Sequence, residues 1–184
     1  MIRPLVRGAD LIGRPIVDAS TGDDVAEVRD VVFDAARGEV TQFTLRRRGF
    51  LGRRLKEVLD MSDVIAVGTD AVIIRTSEDL GNPSESQDDR APDPGGEVIG
   101  DRVLTESGRF LGTLKDVIIM TGARPLVVGF EVHDGPLGDG LIPMSAARSL
   151  SGSSLIVPDI FGERIHGDLV GLAAELTLLS EGSS

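Results

Sequence analysis

Two aspartates, Asp30 and Asp116, stand in matching contexts, Asp30-Val31-Val32 and Asp116-Val117-Ile118. Paired carboxylates are standard equipment for acid–base chemistry, one giving and one taking a proton. Here each acid belongs to a separate stretch of chain, so neither has a neighbouring acid or base. The reading favoured for both is structural. Each stands beside the strand that follows a glycine turn, and its carboxylate accepts backbone N–H groups from a neighbouring turn, which fixes strand entry. The histidines read in the same way. His133 lies in HDGPLGDG, a hairpin signal, and His166 precedes a helical tail, with nothing to bring the two together. The run DIFGERIHGD holds Asp159, Glu163, His166 and Asp168, all possible metal ligands, yet that mix is also ordinary loop solvation. HxxxH, CxxC and nucleophile-elbow spacings are absent. The stretch from Gly108 to Gly112 lacks phosphate-loop spacing and reads as a tight turn. The expectation is therefore a non-enzyme with no catalytic residue, no metal and no cofactor.

Binding chemistry is more visible. RRRGFLGRRLK, residues 46–56, gathers Arg46, Arg47, Arg48, Arg53, Arg54 and Lys56 around Phe50 and Leu51. Gly49 and Gly52 allow a turn, which puts the charges at a loop tip. Three readings compete: solvation with local pairing to Glu39, Glu57, Asp60 and a nearby acidic segment; docking to an anionic partner, protein or RNA; and peripheral membrane contact. The last ranks lowest, because the chain as a whole carries a net charge of -11 and is repelled by anionic lipid. The same charge opposes wholesale nucleic-acid binding.

The elements that would position these residues follow from composition. The 184 residues are 41% hydrophobic, with no Cys, Trp or Tyr and six Phe, so the core is aliphatic and a reducing cytoplasm fits. No apolar run approaches the roughly 20 residues that span a bilayer. The N-terminus has no apolar stretch of the secretory kind, and a cytoplasmic location is expected. In residues 78–97, Arg90 stands against Glu78, Asp79, Glu85, Asp88, Asp89, Asp93 and Glu97, among Pro, Gly and Ser. Such a segment buries too little to offset its ordering entropy, so 80–97 reads as a flexible acidic linker.

The flanks of that linker repeat each other. Ile12-Gly13 matches Ile99-Gly100, Gly22 matches Gly108, and Asp30 matches Asp116. Leu59-Asp60-Met61-Ser62 matches Ile142-Pro143-Met144-Ser145, and 70–74 matches 153–157. The loop RRRGFLGRRLK has HDGPLGDG as its counterpart, without Lys or Arg, so the scaffold itself does not require the cationic cluster. Strands are predicted over 28–33, 40–45, 64–67 and 71–74, with Gly68-Thr69-Asp70 as a hairpin turn. In the second copy they are predicted over 114–119, 126–132, 140–143 and 154–157. The alternation in 40–45 puts Val40 and Gln42 on one side and Thr41, Phe43 and Leu45 on the other. Leu169, Leu172, Ala173 and Leu176 follow helical spacing, with Asp168 as cap. The expected fold is all-β: small barrels over 8–79 and 98–180, joined by the linker, with a short C-terminal helix on the second.

These motifs resemble the PRC-barrel family, named for the cytoplasmic domain of the photosynthetic reaction-centre H subunit and including the C-terminal domain of a ribosome maturation factor. The resemblance rests on Leu11-Ile12-Gly13 with Val17, Gly22, Asp30-Val31-Val32-Phe33-Asp34, Gly38-Glu39-Val40 and the Asp63-Val64…Asp70-Ala71-Val72 hairpin. In the second copy it rests on Ile99-Gly100, Gly108, Gly112, Lys115-Asp116-Val117 and Ile142-Pro143-Met144. It implies a small barrel used for docking or assembly, with Gly13, Gly22, Asp30, Gly100, Gly108 and Asp116 in structural roles and no catalytic residues. A protein partner is expected. An RNA- or ribosome-associated role through 46–56 is the alternative. Either a homodimer or a pairing of the two copies within one chain would satisfy a self-associating barrel surface.

Overall fold

β-branched and aromatic side chains fit a pleated, half-buried backbone, and they dominate the segments that pair. The computed structural model describes residues 3–34, 37–47, 58–80, 98–144, 154–163 and 165–181. The first half supplies β1 (Leu5–Arg7), β2 (Pro15–Asp18), β3 (Asp24–Asp34), β4 (Glu39–Arg47), β5 (Val58–Asp60), β6 (Val64–Val67) and β7 (Val72–Ile74). The second supplies β8 (Arg102–Thr105), β9 (Phe110–Met120), β10 (Leu126–His133), β11 (Gly140–Pro143) and β12 (Ser154–Val157). A one-turn helix, α1 (Gly8–Leu11), follows β1, and a longer helix, α2 (Leu169–Glu181), follows β12. The strands form a single sheet in the order β12-β8-β9-β10-β4-β3-β2-β7-β6. From this path β1 pairs with β9, β11 with β10 and β5 with β4. The sheet is curled as a half-barrel.

The long hairpins β3–β4 and β9–β10 carry the same irregularities. Register shifts between Val28 and Asp30, and again at Lys115 between Leu114 and Asp116. It shifts once more at Thr41 and at Val128. Strand pairs β2–β7 and β8–β12 are both parallel. The bulge at Thr41 corrects the predicted alternation. An extra residue there turns the strand, so Val40, Phe43 and Leu45 are all buried. The matched glycines are turn residues. Gly22 and Gly108 take φ of +80° and +84°, and Gly13 and Gly100 take +83° and +94°, a region L side chains avoid.

The halves are joined rather than separate. β4 meets β10 at Glu39↔Leu126. β1 leaves its own half and pairs with β9 from Leu5↔Met120 to Arg7↔Ile118. Val67 and Gly122 exchange amide–carbonyl bonds of 2.9 and 2.8 Å. The Arg3 guanidinium donates to the carbonyls of Thr121 and Arg124. Barrels held only by a linker would have separate cores. Instead, one buried cluster runs from Leu11, Ile16 and Phe43 to Val103, Leu111 and Phe130. Leu80, placed by sequence at the start of the linker, lies in a 3-10 turn (Ser77–Leu80) and is buried in that cluster. It is the large apolar side chain of that stretch, and burial holds it. Residues 81–97 lie outside the described residues.

The helix α2 begins as its sequence requires. The Gly171 amide donates to Asp168 Oδ1 at 2.8 Å, an N-terminal cap. Leu172 packs with Ile118 and Leu141, and Leu169 and Leu176 flank it. Gly129 makes this approach possible, because a Cβ there would lie 2.9 Å from Leu172 Cδ2.

Candidate functional site

The sheet brings Asp30 and Asp116 to one place. Both line a cleft of about 190 Å³ between the halves, together with Ile12, Ile99, Val31, Val117, Gly8, Ala9, Phe33 and Lys115. Six of these are three matched pairs of the sequence repeat, so both halves contribute to the cleft. The sequence places these two carboxylates on separate stretches of chain; the sheet puts both on the lining of one cleft. The backbone bond each makes is not the expected turn contact: Asp30 and Asp116 are each the seventh residue of a strand, β3 and β9, and accept from the next amide of that same strand. The Val31 amide donates to Asp30 Oδ1 at 2.8 Å, and the Val117 amide to Asp116 Oδ1 at 2.7 Å.

Asp116 does more, because it ties the halves together. The Ala9 amide donates to its Oδ2 at 3.0 Å. α1 comes this close because residue 8 is glycine; a Cβ there would sit 2.8 Å from Asp116 Oδ1. Burial, with the nearby Glu131 and Asp10 charges, pushes the Asp116 carboxyl up against the two amide bonds, which pull it down.

Beside the cleft, Glu131 is buried with Arg7 and Lys115 as partners. The Arg7 guanidinium of β1 and the Lys115 ammonium, at 3.0 Å, both donate to it. Burial pushes the Glu131 carboxyl up, but the two cations more than reverse this and hold it below the usual range. Asp18, also buried, is held well below that range by the Ser20 hydroxyl and the Ser77 and Ser20 amides. A carboxyl depressed in the folded state contributes stability above its unfolded value and loses it as pH falls through the folded one. Glu131→Gln is therefore expected to cost about 1–2 kcal/mol at pH 7, at the lower end for charged hydrogen bonds because both cations are partly exposed. The gap to the parent should close in acid. Urea unfolding at pH 7 and below pH 4 checks both the sign and the window.

The remaining candidates disperse. His133 pairs with Asp134 at 2.7 Å. His166 pairs with Glu175 of α2, while its backbone bridges Leu141. Asp159 accepts from the Ser107 amide at 2.9 Å, and Asp168 caps α2. Among the described residues no group of three or more side chains could hold a metal. Of the cationic segment, Arg46 is exposed in β4 opposite Glu27, and Arg47 is opposite Ala26. Arg48, Phe50, Leu51, Arg53, Arg54 and Lys56 lie outside the described residues. Sequence reasoning missed Asp18, Arg7 and Glu131. The one signal for Glu131 was a lone acid within the apolar run LVVGFEVH.

No curated protein matches the chain. The family model described as the PRC-barrel domain matches residues 4–81, the segment that holds β1 to β7.

Proposed function

We propose that this chain is a non-enzymatic docking or assembly module, made of two PRC-type barrels paired within one polypeptide, and that it takes a protein partner at the cleft between them. The observation that carries this reading is the pair of isoleucines lining the cleft. Ile12 and Ile99 occupy matched positions and are 48% and 40% exposed. Large apolar side chains gathered at a concave surface favour association. The carboxylates beside them bond backbone amides, which suits a scaffold better than proton transfer. Together with the net charge of -11, they favour protein over nucleic acid as the partner.

The test is a double variant, Ile12→Asp with Ile99→Asp, carrying an affinity tag and recovered from native lysate beside the parent. Both substitutions fall on exposed positions, so the circular dichroism spectrum and Tm should hold. A protein recovered with the parent should be missing from the variant. Recovery of the same proteins with both would contradict docking at this cleft.

A further inference from the structure

Docking at the cleft leaves the partner's chemistry open, and the lining narrows it. A volume of about 190 Å³ is below the roughly 300–1,000 Å³ of small-molecule sites and suits a protruding side chain. The walls are apolar: Ile12, Ile99 and Phe33, with Val31 and Val117 behind them. The local cations are already engaged. Lys115 lines the cleft but donates to Glu131, and so does Arg7, which also lies in the field of Asp10. Asp30 and Asp116 add two further carboxylates to a site whose cations already have acidic partners. A second copy presenting the same face would set these carboxylates against their own kind.

Resting on the docking reading above, we infer that the cleft recognises a basic–apolar segment of the partner protein, with one Lys or Arg cation received between Asp30 and Asp116 and adjacent aliphatic side chains laid on Ile12, Ile99 and Phe33. Charge complementarity selects the cation, and the apolar walls select what flanks it. The stem of a Lys or Arg is itself apolar and would cover the isoleucines while its charge reaches the acids.

The probe is a fluorescein-labelled synthetic peptide, GSLKILRLSG, titrated with the full chain at about 0.15 M salt, where long-range attraction to an acidic protein is largely screened. Two controls divide its chemistry. One replaces Lys and Arg with Gln, and the other replaces Leu and Ile with Ser. Two chain variants divide the site. Asp30→Asn keeps an acceptor for the Val31 amide, and Ile99→Ser removes one apolar wall at an exposed position. The parent should bind the probe, and each control peptide and each variant should weaken binding at least tenfold. If the parent fails to bind, or if Asp30→Asn binds within threefold of the parent, the inference is overturned. Equal binding of the Ser-substituted peptide would overturn it too, by showing attraction to overall charge. Should the probe fail while Ile12→Asp with Ile99→Asp still strips the partner, docking at the cleft stands and only its basic–apolar chemistry is lost.

Discussion

Phe43→Ala and Phe130→Ala are each expected to lower stability by about 3–5 kcal/mol, and both within one shared unfolding transition. The two phenylalanines are equivalent under the repeat, one on β4 and one on β10. Both are fully buried, and both belong to the cluster that spans the halves. Removing either ring forfeits its transfer free energy and leaves a cavity that close-packed neighbours only partly fill. A single core makes the damage common property. Urea unfolding followed by circular dichroism should give one sigmoid for the parent and one for each variant, with midpoints displaced by similar amounts. Two barrels that merely share a linker would behave otherwise. Phe43→Ala would then split the curve, with one step shifted and the other left where it was.

Gly135→Ala carries the second large effect. Gly135 lies in the loop between β10 and β11, pressed on β9. A Cβ built there would fall 1.8 Å from the Leu111 carbonyl oxygen and 2.6 Å from its carbon. The obstacle is backbone, so no side-chain rotation relieves it. Across the same contact, Gly112 takes φ of +146°, and its Cβ would meet the His133 carbonyl oxygen at 2.6 Å. The expected cost is about 3 kcal/mol, the upper end for overpacking. Gly22→Ala is the control. Its φ of +80° disfavours alanine, but open space surrounds it, and about 1 kcal/mol is expected. Chemical denaturation of the two variants should separate them clearly. Equal, mild effects would mean that the loop does not close on Leu111.

Much of the strand pattern was legible because short β-branched runs and turn glycines are local signals. The hairpin from Val64 to Ile74, strands β11 and β12 and the capped tail helix need no information from afar. The repeat extended that reading to the second half. What escaped was non-local. The bulge at Thr41 breaks the period of two on which alternation depends, so Val40 was put on the wrong face. β1 is three residues long, and its partner β9 lies in the other half; three residues carry too little pattern to announce a pairing. The convergence of Asp30 and Asp116 has no linear signature at all. It follows from the pairing of β4 with β10 and of β1 with β9, which joins the two halves in one sheet. Each acid takes a backbone bond, from the next residue of its own strand and not from a turn, and both line one cleft. The cationic run 46–56 is the loudest signal in the sequence, and only Arg46 and Arg47 of it fall among the described residues.

Amide hydrogen–deuterium exchange on the chain, alone and bound to the protein it retains from lysate, tests docking at the cleft most directly. New protection is expected in α1 and Ile12, around Asp30 to Phe33, and from Ile99 onward, with Ile65 and Ile160, exposed elsewhere, unchanged. Protection that spared the cleft and gathered around Ile65 or Ile160 would contradict the account.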